Sequence, residues 1–118
     1  MAGAGITNAN GGMSIGGIPI VSAIAALSDI EIHRELGSLP GWSRRGNALV
    51  KVFTFSDYLS GIGWVRQVAD AAESRDHHPD LDIRYTKITV TLSTHSAGGI
   101  TVKDFELARA IDALPVGR

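Results

Sequence analysis

The sequence predicts an α+β fold in two layers, with a four-stranded antiparallel sheet and helices on one face. Helical periodicity precedes, separates and follows two pairs of short strands joined by turn signals, so the element order is α-β-β-α-β-β-α. Strands joined by short turns pair antiparallel, and this order of hairpins and helices is typical of α+β domains. The length of 118 residues suits a single domain.

The first helix is expected at about residues 28–37. Ser28 and Glu31 have the spacing of a capping box, the pair of polar side chains that opens many helices. Ile32 supplies an apolar residue for a buried face, and Gly37 supplies a stop.

The first hairpin follows, with strands expected at 42–45 and 48–55. The dipeptide Gly46-Asn47 between them favours a two-residue hairpin loop. The second strand carries apolar residues at both odd and even positions, so we expect it to be covered at least partly on both faces.

The longest helix is expected at about 57–74, with Ser56 as its N-cap. Gly61 and Gly63 lie inside it, where each glycine costs about 1 kcal/mol relative to alanine. We therefore expect the glycines to mark close packing against another element. The apolar residues that recur at helical spacing form the expected buried stripe: Tyr58, Ile62, Val65, Ala69 and Ala72.

A change of parity indicates the second hairpin. Apolar residues occupy odd positions from 81 to 85 and even positions from 88 to 92. A slip of one residue would turn one set to the wrong face, so we expect a turn or bulge near Thr86-Lys87.

The last helix follows a loop at 93–99 and begins at a second capping box, formed by Thr101 and Asp104. Its expected apolar stripe consists of Leu107, Ala108, Ile111 and Leu114.

Residues 1–27 are expected to form a flexible N-terminal tail, and residues 28–118 the folded domain. Residues 1–17 carry no Lys or Arg, whereas a signal peptide begins with positive charge. The apolar run at 18–27 is too short to span a bilayer, so no membrane partner is expected.

Charge and cysteine content argue against several classes of protein. The net charge is −1 and no Lys/Arg-rich run is present, so direct nucleic-acid binding is not expected. The absence of cysteine excludes a disulfide framework, a thiol nucleophile and Cys-ligated zinc. It also fits a reducing compartment, so we expect a cytoplasmic protein, or in a eukaryote also a nuclear one.

Three of the four histidines lie at the ends of predicted elements. His77 and His78 follow the long helix, and His95 follows the last strand. Functional groups tend to lie on loops held by a rigid scaffold, so both loops are candidates for one shared cleft. An imidazole gives or takes a proton near neutral pH, so these residues suit acid–base chemistry. His33 lies within the first helix and is expected to be a surface residue.

The residues around these histidines resemble the signature of the pterin-4a-carbinolamine dehydratase family. This family is also known as the dimerisation cofactor of a homeodomain transcription factor. The resemblance spans roughly residues 27–114. It rests on these segments: Leu39-Pro40-Gly41-Trp42, Phe53-Thr54-Phe55-Ser56-Asp57-Tyr58, Glu73-Ser74-Arg75-Asp76-His77-His78-Pro79, Tyr85, Thr94-His95, Gly98-Gly99-Ile100-Thr101 and Asp104.

The resemblance implies dehydration of 4a-hydroxytetrahydrobiopterin to quinonoid dihydrobiopterin, a step in tetrahydrobiopterin recycling. The substrate loses hydroxide from C4a and a proton from the neighbouring ring nitrogen, so an acid and a base must act on nearly adjacent atoms. A positioned acid–base pair contributes about 10²–10⁴-fold in rate. Neither a cofactor nor a metal is expected.

The resemblance also implies a role for each residue. His77 and His95 would form the acid–base pair, with His78 mainly binding the pterin. Asp76 and the backbone around Ser93, Thr94 and Ser96 would line the site. Glu73 and Asp104 match the acidic positions of the signature, and either could orient an imidazole. Pro79 would stiffen the loop.

These residues also have structural interpretations. His77-His78 suits an exposed loop, His95 the end of a strand, and Asp104 the third helical position of a capping box. Trp42 and Tyr85 are expected in the core rather than stacked on a pterin.

Two other functions stay open at this point. Three histidines and a carboxylate could bind zinc, although adjacent histidines seldom aim both rings at one ion and no HExxH spacing is present. The family resembled also includes members that bind a transcription factor, and relatives of its fold act as assembly factors. A non-catalytic interaction or coactivator module is therefore the alternative. The expected partners are a second copy of the chain, in a homodimer or homotetramer, and a hydroxylase or transcription factor.

Overall fold

The computed structural model describes residues 24–115 and has the element order that the sequence predicts. The elements are α1 Asp29–Leu36, β1 Ser43–Arg45, β2 Ala48–Thr54, α2 Tyr58–Ser74, β3 Asp80–Arg84, β4 Lys87–Leu92 and α3 Val102–Asp112. A single 3₁₀ turn, His95–Ala97, precedes α3. The expectations for residues 1–23 and 116–118 lie outside the described residues.

The four strands form one sheet in the order β1-β2-β4-β3, and every neighbouring pair is antiparallel. The α+β prediction is therefore confirmed. Leu49 of β2 pairs with Leu92 of β4, and Leu81 of β3 pairs with Val90 of β4. Directly paired residues share a face, so these side chains lie on the face that packs against the helices. On the opposite face Val52 is 53 % exposed.

Side-chain caps begin the helices. The Ser28–Glu31 and Thr101–Asp104 capping boxes are both present, as expected. The expectation that Ser56 caps α2 is wrong, because Asp57 is the N-cap and its carboxylate accepts a hydrogen bond from the Ser60 backbone N–H at 2.8 Å. This hydrogen bond lowers the pKa of Asp57 below its ordinary value.

The buried face of α2 differs from the expected stripe. Gly61, Trp64, Val68 and Ala72 are buried, whereas Tyr58 is 47 % exposed. The indole of Trp64 is the largest apolar group on this helix, and its burial turns the helix so that this ring packs against the sheet. Of the expected residues only Ala72 is fully buried.

The two glycines of α2 also differ. A Cβ added to Gly61 would lie 3.2 Å from Cδ1 of Ile88, so this glycine does mark a close approach between α2 and the sheet. At Gly63 an added Cβ would meet nothing within 4 Å, and the expectation of close packing there is wrong.

Both hairpins have two-residue loops. The loop of the first is Gly46-Asn47, as expected, and that of the second is Tyr85-Thr86. The expectation that Tyr85 lies in the core is wrong, because it is 74 % exposed. It occupies the first loop position with φ of 53°, beyond the end of the sheet, and its ring stacks on Tyr58 with centroids 6.4 Å apart.

One end of the sheet carries the candidate site. There β3 begins and β4 ends, with Asp80 opposite Thr91. The loop at 76–79 leads into β3 and the loop at 93–99 leaves β4. The topology therefore places two loops that are separate in the chain side by side.

Candidate active site

The chain reverses at the C-terminal end of α2. The backbone N–H of His77 donates to the Ala72 carbonyl at 3.1 Å, and that of Asp76 donates to the Glu73 carbonyl at 3.1 Å. These two bonds form a Schellman motif, in which the turning residue is usually glycine. Asp76 holds that position with a left-handed φ of 48°. The turn thus places a carboxylate next to His77.

The imidazole of His77 is oriented by a buried carboxylate. Its Nε2 lies 2.6 Å from Oδ1 of Asp104, and the two side chains are 10 % and 0 % exposed. An ionised carboxylate only accepts hydrogen bonds, so Nε2 carries a hydrogen in this arrangement. Nδ1 is then the nitrogen of His77 that can exchange a proton with a ligand.

The second oxygen of Asp104 holds the other loop. Oδ2 accepts hydrogen bonds from the Thr94 hydroxyl at 2.8 Å and from the Thr101 backbone N–H at 2.9 Å. The Thr94 hydroxyl also lies 2.8 Å from that of Thr101. Because Thr94 gives its one hydrogen to the carboxylate, Thr101 donates to Thr94. One carboxylate therefore caps α3, orients His77 and fixes the residue that precedes His95.

His95 lies on a short loop with its own closure. The Thr94 N–H donates to the Gly99 carbonyl at 2.9 Å, and the Gly99 N–H donates back at 3.3 Å. Gly98 has a left-handed φ of 71°, which closes the 3₁₀ turn. His95 itself is exposed, so a ligand can reach its ring.

His78 has a more open environment. Its Nε2 lies 2.8 Å from Oε1 of Glu73, and the side chains are 57 % and 80 % exposed. Exposed pairs of this kind contribute little to stability. An exposed imidazole of this kind suits ligand binding better than a proton transfer that needs a fixed orientation.

These side chains surround one cavity of about 410 Å³, called the histidine cavity below. It is lined by Asp76, His77, His78, Ser93, Thr94, His95, Ser96 and Lys103. Every residue expected to contact substrate is thus at this cavity, although their roles stay predictions. Asp104 lies behind His77, Glu73 contacts His78, and Pro79 is in the loop without lining the cavity.

Sequence reasoning missed Lys103. It lies in the first turn of α3, between the two residues of the capping box, and lines the histidine cavity. The capping box could have indicated it, because a helix that begins beside His77 also brings its first turn there. The sequence predicts Thr101 as a helix cap but not the second role of its hydroxyl, which completes the hydrogen-bond chain through Thr94 to Asp104.

The arrangement suits proton transfer. Within residues 24–115, no three His, Asp or Glu side chains converge as a group that could hold a metal ion. Over the same residues, no helix combines the length and apolar character that crossing a membrane requires. What the cavity does offer is three imidazoles in two environments: His77 is largely buried against a carboxylate, whereas His78 and His95 are exposed.

Comparison with known proteins identifies the family. The family model described as "Pterin 4 alpha carbinolamine dehydratase" matches residues 25–114. The chain belongs to this family. A relative from Mycobacteroides abscessus, named "Putative pterin-4-alpha-carbinolamine dehydratase", is 52 % identical over 95 residues, which are 80 % of this chain and 100 % of the relative. A relative of the same name from Roseiflexus castenholzii is 51 % identical over 90 residues, which are 76 % of this chain and 97 % of that one.

Solved structures agree on the fold of this family member. The transcriptional coactivator/pterin dehydratase from Brucella melitensis superimposes with a TM-score of 0.72 at 36 % identity, over 75 % of this chain and 96 % of that one. A pterin dehydratase-like protein described as a RuBisCO assembly factor in the alpha-carboxysome has a TM-score of 0.51 at 22 % identity, over 61 % and 83 %. The second likeness concerns the fold alone.

Proposed function

We propose that the protein dehydrates a 4a-hydroxytetrahydropterin to the quinonoid dihydropterin and water. The observation that carries the proposal is the histidine cavity, in which His77, backed by Asp104, faces the same space as His95. Family membership supports the pterin ring as substrate. The proposed physiological substrate is 4a-hydroxytetrahydrobiopterin, and the proposed role is recycling of tetrahydrobiopterin in the cytoplasm.

The reaction needs one proton removed and one supplied. In the proposed mechanism Nδ1 of His77 takes the proton from N5 as the C4a–N5 double bond forms. The positive charge on the imidazole is then balanced by Asp104, 2.6 Å from Nε2. His95 gives a proton to the departing hydroxyl group, which leaves as water. Exchange with solvent restores both rings.

The remaining residues would bind and orient the ring. His78 is exposed at the cavity and can contact the heterocycle, and the carboxylate of Asp76 can accept hydrogen bonds from ring N–H groups. Thr94 would contribute only its backbone, because its hydroxyl is held by Asp104. Lys103 adds a positive charge at the cavity wall that can contact the ring carbonyl.

Stopped-flow dehydration of a chemically generated 4a-hydroxytetrahydropterin tests this proposal. We expect His77→Ala and His95→Ala each to lower kcat by about 100-fold. His78→Ala should chiefly raise KM. The matched control is His33→Ala, which removes an exposed imidazole on α1 outside the cavity and should leave both constants unchanged. Equal turnover in all five proteins, wild type included, would remove the catalytic proposal.

A protein-interaction role is the second candidate, and it rests on a different surface. Tyr58 and Tyr85 stack on one another while 47 % and 74 % exposed, beside Leu59 at 75 %. Exposed apolar patches of this kind mark association sites. The proposed partners are a second copy of the chain, in a homodimer or homotetramer, and a hydroxylase or a transcription factor. Sedimentation of the wild type and of Leu59→Glu tests self-association through this patch.

A further inference from the structure

A second cavity of about 400 Å³ adjoins the histidine cavity. The two share Ser93, Thr94 and His95 as lining residues. The other lining residues of the second cavity are the polar Asn47, Asp80 and Thr91 and the small Ala48, Gly98 and Gly99. We call it the Asp80 cavity. Because His95 lines both, a ligand atom beside this ring is next to both spaces.

The sheet builds the Asp80 cavity from three strand ends. Asp80 begins β3 and is paired directly with Thr91 near the end of β4, so both side chains lie on the face away from the helices. Asn47 comes from the loop before β2. The ion pair of β3 is formed further along the strand, by Asp82 with Arg84 at 3.2 Å. The Asp80 carboxylate is thus exposed at the cavity wall.

The chemistry of the pterin ring directs a substituent into this space. Only N5 separates C4a, where the hydroxyl leaves, from C6, which carries the side chain of natural tetrahydropterins. A ring with C4a and N5 between the catalytic histidines therefore presents C6 beside one of them. Because His95 lines both cavities, a ring bound beside it lies next to the Asp80 cavity, which offers a space for that substituent.

We infer that the Asp80 cavity receives the C6 substituent and selects hydroxylated, uncharged side chains. This inference rests on the proposed function. The Asp80 carboxylate accepts hydrogen bonds from hydroxyl groups, and Thr91, Ser93 and Asn47 offer further donors and acceptors. A carboxylate on the substituent would face a like charge at Asp80, which disfavours it. A methyl group would make none of these hydrogen bonds.

Calorimetry with three dihydropterins that differ only at C6 tests the inference. The substituents are methyl, dihydroxypropyl and carboxylate. We expect the wild type to bind the dihydroxypropyl compound about two- to tenfold more tightly than the methyl compound, as one or two hydrogen bonds to exposed groups would give. Asp80→Ala should abolish that preference, and Asp80→Asn should improve binding of the carboxylate compound.

Asp82→Ala is the matched control, because it removes the same group from the same face of β3 outside the cavity. It should keep the wild-type preference. Equal affinity for the methyl and dihydroxypropyl compounds in the wild type, or a preference that survives in Asp80→Ala, overturns the inference. Turnover of the 6-methyl carbinolamine is measured in parallel. If the enzyme turns over the carbinolamine but binds the three dihydropterins equally well, only this inference is wrong. If it neither turns over the carbinolamine nor binds any of the compounds, the proposed function is wrong as well.

Discussion

Asp104 and His77 are joined by a short contact, 2.6 Å between Oδ1 and Nε2, although 27 positions separate them in the chain. The carboxylate is fully buried, and its second oxygen accepts hydrogen bonds from Thr94 and Thr101. The start of α3, the loop that carries His95 and the orientation of His77 therefore depend on one side chain. Substitution of Asp104 should therefore lower both the stability of the fold and the rate of catalysis.

Asp104→Asn tests this dependence. An amide offers one acceptor and two donors in place of four acceptor sites, so either a buried donor loses its partner or His77 changes tautomer and turns the wrong nitrogen to the cavity. We expect the free energy of unfolding to fall by about 1–3 kcal/mol and kcat to fall by about 100-fold, measured by urea denaturation and stopped-flow assay. The control, Glu106→Gln, alters an exposed acid on the same helix and should change neither. A full kcat in Asp104→Asn would contradict the orienting role.

Asp76 should respond differently to glycine and to alanine. Its left-handed φ of 48° strains any residue with a Cβ. We expect Asp76→Gly to be more stable than Asp76→Ala by about 1 kcal/mol in chemical denaturation. Both variants lack the carboxylate, so both should raise KM for the pterin to the same extent. Equal stability of the two variants would show that the left-handed backbone conformation at position 76 does not strain a residue with a Cβ.

Much of the fold follows from short-range signals in the sequence. The Ser28–Glu31 and Thr101–Asp104 boxes need only residues three positions apart, and both helices begin there. The Gly46-Asn47 loop likewise depends on neighbouring residues. These features were predictable because backbone hydrogen bonds at helix ends and turns are satisfied locally.

Other features depend on tertiary packing and could not be predicted in the same way. Helical spacing located α2, but burial of Trp64 decides which side faces the sheet, and spacing does not weigh one large ring against several small side chains. Tyr85 continues the apolar alternation of β3 but lies in the loop, where alternation no longer predicts which side chains are buried. The double use of Asp104 as cap and orienting group requires the position of His77, which local patterns do not contain.

Tyr85 should be replaceable by glycine with a gain in stability. It occupies the first position of a two-residue hairpin loop with φ of 53°, the position that Gly46 holds in the first hairpin with φ of 61°. Loops with a positive φ at that position favour glycine. We expect Tyr85→Gly to raise the free energy of unfolding by about 0.5–1 kcal/mol. Tyr85→Ala, which keeps the strain but removes the ring, should not gain, and a matching gain there would contradict the argument.

The two glycines of α2 provide a paired test of packing against helix propensity. Gly63 is exposed and has open space where a Cβ would lie, so Gly63→Ala should raise the free energy of unfolding by about 1 kcal/mol. At Gly61 the same substitution gains the same propensity, but the new Cβ would lie 3.2 Å from Cδ1 of Ile88 and 3.4 Å from Cδ1 of Phe55. Ile88 is fully buried and cannot move freely. Overpacking costs about 1–3 kcal/mol, so Gly61→Ala should be less stable than Gly63→Ala in urea denaturation. Equal stability of the two variants would show that Ile88 and Phe55 can shift to accommodate a Cβ at position 61.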